Sequence, residues 1–289
     1  MQISRVAAPS CLGGENPLWD PTSKVLYYID NSGMKVHRHD PATGANRSWD
    51  MPDVITTLAL RASGGGVVTL RSGIHALDFE IGGLSALYLL PDPMSYVFND
   101  GRIDRQGRFL IGASTTQFVE PTPEGGLFRL DPDHGLHKLD DGIHFSNGPC
   151  FAPDDKTFYF SDSWLKQTYA YDYDLASGAV ANRRIFADTT ELGGLPDGAC
   201  VDKDGLVWMA IYGGGKIAVF RPDGRLERTI DMPVKLVSSV GFGGPDLASL
   251  YVTTIAQGAL GEPTEDGAGD LYVIEGLGAR GQAETAYAG

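Results

Sequence analysis

The sequence predicts an all-β fold, a six-bladed β-propeller of four-stranded antiparallel blades that spans residues 1–289 as one domain. Three observations predict it. Six short segments can be laid over one another, beginning at Glu15, Thr56, Asn99, Asn147, Asp197 and Ser238 and spaced about 41 to 50 residues apart, and this is the period of propeller blades. Each start is small, polar or acidic, and four residues on comes an apolar residue: Trp19, Leu60, Ile103, Phe151, Val201 and Phe242. No stretch carries a helical period for more than a turn or two.

Within each repeat the elements follow in a fixed order. The first strand runs from the polar residue into the apolar one, and alternation is expected to put positions +2 and +4 on one face. A turn rich in Asp, Gly and Pro follows: DPTSK, ASGG, DRQG, PDDK, DKDG or GPDLAS. Next comes a β-branched and aromatic run, VLYYID (25–30), GVVTL (66–70), RFLIGAS (108–114), TFYFSDS (157–163), LVWMAIY (206–212) or LYVTTI (250–255). A third strand such as KVHRHD, GLFRLD or KIAVFR ends in a breaker in most repeats. A more polar fourth follows, for example NRSWD (46–50), LSALYLL (84–90) and RRIFA (183–187). Four antiparallel strands repeated six times make the propeller. The segment ISRVA (3–7) is expected to add an outer strand to the last blade and close the ring, which removes exposed strand edges. The stretch GARGQAETAYAG at the end is small and polar and is expected to fray. The loop 115–126, with Phe118, Glu120 and Glu124, is longer than a hairpin needs and reads equally as a cover over a site or as a plain surface excursion.

Composition narrows the function. A formal net charge of −14 repels nucleic acid and anionic membranes, so neither is an expected partner. The three cysteines, Cys11, Cys150 and Cys200, form no CxxC pair and read as buried apolar thiols rather than as a disulfide framework or a zinc–thiolate site. No apolar run reaches the length of a membrane span, and MQISRVAAPS has no signal-peptide core; a reducing cytoplasm is the expected location. The expected assembly is a monomer or weak homo-oligomer.

The six polar starts admit two readings. They can hydrogen-bond backbone groups at the strand starts, or some of them can bind an ion. Glu15 and Asp197 are hard oxygen donors, and Asn147 adds a neutral carbonyl oxygen. Such a set suits one divalent metal ion, Ca2+, Mg2+ or Mn2+, and can hold Zn2+ or Fe2+ with positions open to water. Thr56 and Ser238 read as lining. His37 and His39, alternating on a strand of the first blade, are not placed for metal binding, and His144 reads as a hydrogen-bonded loop histidine. Trp19, Phe151 and Trp208 read as core, and the Asp-rich turns at 154–155 and 202–204 as hairpin chemistry.

The segments GENPLWD, NDGRID with DRQGRF, SNGPCFAPDDKTFYFSDS, PDGACVDKDGLVWMA and FGGPDLASLYVTT resemble the SMP-30/gluconolactonase/regucalcin family along nearly the whole chain. The resemblance implies a six-bladed propeller that hydrolyses a small-molecule lactone with a divalent metal. It implies metal ligation by Glu15 of G-E-x-P, Asn147 of S-N-G and Asp197 of P-D-G, and substrate binding by Asn99 of N-D-G. One position departs from the family pattern. Val97 stands where sugar lactonases commonly carry an Arg, which points to a less hydroxylated substrate than gluconolactone or to compensation by Arg102, Lys235 or Tyr212.

The expected reaction is hydrolysis of a small lactone, first of all a sugar aldonolactone, to the hydroxy acid. Asp197 is the candidate general base as well as ligand, and Asn99 orients substrate or stabilises developing charge. No GxSxG elbow is present, and Ser146, Ser238 and Ser239 have no histidine partner by register. Two alternatives remain: another metal-dependent esterase or phosphotriesterase activity on the same site, and a non-catalytic calcium-binding propeller.

Overall fold

The computed structural model describes residues 1–91, 96–117, 120–256 and 265–289. It is a six-bladed β-propeller of four-stranded antiparallel sheets. The first blade is β2 (Gly14–Asp20), β3 (Val25–Asp30), β4 (Lys35–His39) and β5 (Asn46–Asp50). The second is β6 (Ile55–Leu60), β7 (Gly66–Leu70), β8 (Gly73–Leu77) and β9 (Leu84–Leu89), and the third is β10 (Tyr96–Ile103), β11 (Phe109–Thr115), β12 (Gly125–Leu130) and β13 (Leu136–Ile143). The fourth is β14 (Ser146–Phe151), β15 (Thr157–Asp162), β16 (Gln167–Asp174) and β17 (Ala179–Asp188), and the fifth is β18 (Leu195–Val201), β19 (Val207–Tyr212), β20 (Lys216–Phe220) and β21 (Leu226–Asp231). The sixth joins β22 (Val237–Gly243), β23 (Ser249–Thr254) and β24 (Tyr272–Glu275) to β1 (Gln2–Arg5). Among the described residues the helical content is one 3₁₀ turn, Thr190–Leu192.

The expected closure is present. β1 pairs antiparallel with β24, Ile3 opposite Ile274, so the first strand of the chain is the outer strand of the last blade. The expected fraying of the C-terminal tail is not. Tyr287 is fully buried, its amide donates to the Leu60 carbonyl and its hydroxyl to the Asp131 carbonyl at 2.7 Å, and the Arg61 guanidinium binds the Gly289 carbonyl. One aromatic side chain with an apolar slot outweighs the polar composition around it.

The chain forms two compact units. One contains residues 1–55 and 189–284, with the first, fifth and sixth blades; the other contains 56–188 and 285–289, with the second, third and fourth. Burial falls from the first strands of a blade to the last: all six residues of β3 are buried, whereas four of five in β5 are exposed. Apolar clusters fill the space between neighbouring blades of a unit. In the first unit Trp19 stacks on Tyr251 at 6.1 Å and Trp208 meets Phe242 edge-on at 5.4 Å. Within the fourth blade of the second unit, Phe151 is flanked by Phe158 and Tyr173, each at 4.9 Å. Trp19 and Trp208 are core as read, each worth roughly 1.5–3 kcal/mol of burial, and Phe151 is half-buried against the core.

The Asp-rich turns organise hairpins. Asp104 accepts the amides of Gln106 and Arg108, and Asp202 those of Asp204 and Leu206. Gly107 and Gly205 follow with φ of 78° and 89°, the left-handed backbone that a side chain disfavours. Asp104 also receives the buried Arg108 guanidinium at 2.6 Å and the Tyr173 hydroxyl, which ties the third blade to the fourth. The Trp208 indole donates to Asp202 at 3.0 Å.

Candidate functional site

The first strands of the blades do not alternate simply. β2 pairs Glu15 with Ile29 and then Leu18 with Tyr27; β14 pairs Asn147 with Ser161 and then Cys150 with Tyr159. Likewise β10 steps from Phe98 to Gly101, β18 from Pro196 to Ala199 and β22 from Val237 to Ser239. In each case the first strand advances one residue more than its partner, the signature of a β-bulge. Positions +2 and +4 share a face as expected where both follow the bulge, Gly101 with Ile103, Ala199 with Val201 and Val240 with Phe242; after Glu15 and Asn147 position +2 lies within the bulge itself. A bulge re-aims side chains without breaking the sheet, which is why bulges recur beside binding sites.

The bulges also split the six aligned positions. Glu15 and Asn147 are each the last paired residue before the bulge, followed by a residue of positive φ (Asn16 at 54°, Gly148 at 57°) and then by Pro. Asn99 and Asp197 come one step later, as the first residue inside the bulge. Asn16 is a buried non-glycine residue in the left-handed region, a conformation Asn tolerates better than most and one that tends to be retained where function needs it. The dipeptides N-P and G-P were the sequence signals of these bulges.

Three of the six positions lace neighbouring strands together. Thr56 donates its hydroxyl to the Phe98 carbonyl at 2.9 Å, and Ser238 donates to the Gly14 carbonyl at 2.5 Å. Asn99 donates Nδ2 to the Ser146 carbonyl at 2.6 Å and to Asn147 Oδ1 at 2.9 Å. Each acceptor carbonyl belongs to the residue just before the polar position of the following blade. Backbone tying, one of the two readings of the ring, therefore describes Thr56, Ser238 and half of what Asn99 does.

The second unit brings Asn99 and Asn147 together and surrounds Asn147 closely. Three residues of N-D-G-R clamp S-N-G-P: Asn99 as above, Asp100 Oδ2 accepting the Gly148 amide at 3.1 Å, and Arg102 Nε donating to the Pro149 carbonyl at 3.1 Å. Arg102 was a candidate to replace the missing substrate-binding Arg; its Nε instead holds this backbone. Asn147, 7% exposed, donates Nδ2 to Ser163 Oγ at 3.0 Å, and Ser146 is fixed through its amide by Ser114 Oγ. Val97 is half-buried opposite Ser114. His144 is a hydrogen-bonded histidine as read, its Nδ1 2.9 Å from Asp162 Oδ2, and Asp162 also accepts the amides of His144, Phe145 and Trp164.

The first unit holds Glu15, half-buried on β2, and Asp197, 7% exposed in the bulge of β18. Gly198 after Asp197 lies so close to Ser239 that a Cβ would stand 2.0 Å from its Oγ. Tyr212 is half-buried at the end of β19; Lys235 is exposed, with its amide on Glu265. In the loop 115–126, Thr115 meets Thr122 at 3.3 Å, and Phe118 lies outside the described residues.

The family model for the SMP-30/Gluconolactonase/LRE-like region matches residues 13–256. The chain belongs to this family. A regucalcin of Xenopus laevis is 36% identical over 100% of this chain and 99% of its own. Pentonolactonase XacC of Haloferax volcanii is 35% identical over 98% and 97% of the two chains. A solved structure described as a calcium-binding protein, regucalcin, from Agrobacterium tumefaciens superposes with a TM-score of 0.89 at 25% identity, covering 98% of this chain and 96% of the other. The matched span takes in the segments GENP, NDG, SNG and PDG that carry Glu15, Asn99, Asn147 and Asp197. No helix among the described residues is long and apolar enough to cross a membrane.

Proposed function

We propose that this protein is a lactonase that opens a small lactone to its hydroxy acid with one divalent cation, ligated by Glu15, Asn147 and Asp197. The observation that carries the reading is the buried Asn147 amide. Its Nδ2 is spent on Ser163, and Asn99 holds its Oδ1 in place, so a carbonyl oxygen with a second lone pair is presented at the bulge. An amide nitrogen cannot ligate a cation, and this hydrogen-bond pattern supports Oδ1 as the atom available to one. Two carboxylates and one amide oxygen fit a hard cation, and a protein contribution of only three ligands leaves coordination positions for water and substrate. The pentonolactonase relative supports a lactone as substrate, and the regucalcin relatives support the cation.

When bound, the cation supplies Lewis acidity toward the carbonyl and lowers the pKa of water. The chain's residues do the rest. Asp197 takes the proton from the attacking water as general base, and Asn99, whose Nδ2 is committed, orients Asn147 and offers Oδ1 to a substrate hydroxyl. Val97 cannot hydrogen-bond a polyol, which favours an aldonolactone with fewer hydroxyls than gluconolactone.

The test is a panel of aldonolactones, simple lactones, aryl esters and paraoxon, assayed metal-free and with Ca2+, Mg2+, Mn2+, Zn2+ or Fe2+. Lactone opening that chelation abolishes and a cation restores is the expected result. A folded protein that binds the cation but opens no lactone would overturn the proposal in favour of a binding propeller, and preference for aryl ester or paraoxon would replace the substrate class.

A further inference from the structure

A second group of ligating atoms lies in the first unit, formed by residues that the lactonase reading does not use. Cys11 in the segment before β2, Asp30 at the end of β3 and His37 on β4 each offer one atom, and these atoms lie within 4.8 Å of one another. The residues are 3%, 4% and 3% exposed respectively. His37 Nε2 is buried with no hydrogen-bond partner, whereas Nδ1 is 2.7 Å from Ser48 Oγ. A buried imidazole nitrogen left without a partner is costly and calls for an occupant of the space before it. His39, two residues on, shows the ordinary arrangement, with Nδ1 bonded to Asn46 Oδ1 at 2.9 Å and no orphan nitrogen among the described atoms.

We propose that Cys11, Asp30 and His37 form a site for a borderline-soft divalent cation of the zinc type, separate from the oxygen-lined site. Two of the three donors, His37 and Asp30, are already oriented by further contacts, as metal ligands characteristically are, and the Cys11 thiol lies 4.0 Å from the Pro9 carbonyl. With Nδ1–H donated to Ser48, Nε2 presents its lone pair. The Asp30 carboxylate is fixed by three amides, Gly13 and Gly33 on Oδ1 at 2.9 and 2.8 Å and Leu12 on Oδ2 at 3.0 Å. Residue 33 must be glycine for this, since a Cβ there would stand 2.1 Å from Asp30 Oδ2. Ligands around tetrahedral zinc stand roughly 3.3–3.8 Å apart, so inward shifts of about half an ångström per side chain complete the set. Sulfur and imidazole donors select zinc-like ions over Ca2+ or Mg2+. One thiolate and one carboxylate cancel the charge of the ion, so the buried site is neutral overall.

The fourth blade supplies an internal control. Asp162 stands opposite Ser146 as Asp30 stands opposite Gly14, and it caps amides in the same way. There His144 closes directly onto the carboxylate at 2.9 Å and leaves no gap. In the first blade the imidazole makes no such bond, and a thiol faces the same space. Burial and the nearby Asp30 push the Cys11 thiol well above its usual range, so ligation proceeds as Cys–SH + M2+ → Cys–S–M+ + H+, with the proton released to solvent. The ion would fasten the segment after β1 to the first blade, within one unit.

The experiment uses the full chain with Ca2+ in excess to hold the oxygen-lined site, and titrates Co2+ as a spectroscopic probe. One equivalent should bind with a sulfur-to-cobalt charge-transfer band in the near ultraviolet, and Zn2+ should displace it. Cys11→Ser should lose that band, with Cys150 and Cys200 still present, and His37→Gln should weaken binding at least tenfold. Circular dichroism checks that both variants fold. A wild-type protein without a thiolate band overturns the proposal whatever the variants do, and so does a band that survives in folded Cys11→Ser. Lactone turnover does not enter, so this result stands apart from the lactonase reading.

Discussion

Replacing Asn147 with Ala separates tying from ligation. In the folded chain the side chain makes two hydrogen bonds, from Asn99 Nδ2 and to Ser163 Oγ. At about 1 kcal/mol each, their loss costs about 2 kcal/mol, and Asn99 keeps its bond to the Ser146 carbonyl. For a chain of 289 residues the unfolding entropy is about 0.6 kcal/mol per kelvin, so Tm falls by about 3 °C. If Asn147 is a cation ligand, Ca2+ affinity falls far more than so small a stability loss accounts for, by about 100-fold or more. Asn147→Asp keeps the acceptor for Asn99 and can take a hydrogen bond from Ser163, so it should hold both Tm and affinity. Scanning calorimetry and titration calorimetry with Ca2+ read the two quantities on the same samples. An Asn147→Ala protein that loses about 3 °C yet binds Ca2+ and opens lactone like the wild type would refute ligation and leave Asn147 a backbone tie.

Asn99→Ala should lower cation affinity by about 10–100-fold through loss of the hydrogen bond that orients Asn147, and Asn99→Asp should not rescue it, because a carboxylate cannot donate; titration calorimetry checks both. Asp104→Ala leaves the Arg108 guanidinium buried without its carboxylate and should cost roughly 3–5 kcal/mol, read as a Tm drop of about 5–8 °C with turnover at 20 °C unchanged. Gly198→Ala forces a Cβ against Ser239 beside Asp197; it should cost about 1–3 kcal/mol and depress kcat/KM, whereas Gly44→Ala, with open space around it, should leave kcat/KM alone. Burial lowers the pKa of His75 from its ordinary 6.5, so the unfolded chain binds its proton first as pH falls. The stability this side chain contributes is present above about pH 6.5 and is lost below it, and His75→Gln should flatten that part of the curve of Tm against pH.

Much of the fold was legible because hairpins are local. The runs read as VLYYID and GVVTL are β3 and β7 residue for residue, those at 108 and 250 differ from β11 and β23 by one residue at each end, and that at 206 differs from β19 by one residue at its start. Turn chemistry located them: Asp104 and Asp202 bind amides only two to four residues away. What escaped was non-local. The docking of Tyr287 depends on carbonyls at Leu60 and Asp131, and the clamp of N-D-G-R on S-N-G-P joins residues about 47 apart. The proximity of His37 to Cys11 and Asp30 was hidden in the same way, because the three residues lie on separate segments. Arg102 was one of three candidates to compensate at Val97, and nothing in the sequence reveals that the Pro149 carbonyl takes its Nε.

The bulge is what reconciles one repeated backbone with unequal chemistry. A strict ladder would send every position of the register to the same face, and six similar side chains would follow. One extra residue in β2, β10, β14, β18 and β22 frees the side chain at that point from the pleat, so a blade can spend it on the neighbouring carbonyl, as at Ser238, or turn it to another use. Asn99 does both, and for that reason a single amide couples the scaffold to the candidate site: its Nδ2 closes onto the fourth blade and in the same act fixes the Asn147 oxygen. Selection on the site and on the packing of blades therefore acts on one residue. Substitutions at Asn99 should change stability and cation affinity together, whereas those at Thr56 and Ser238 should change stability alone.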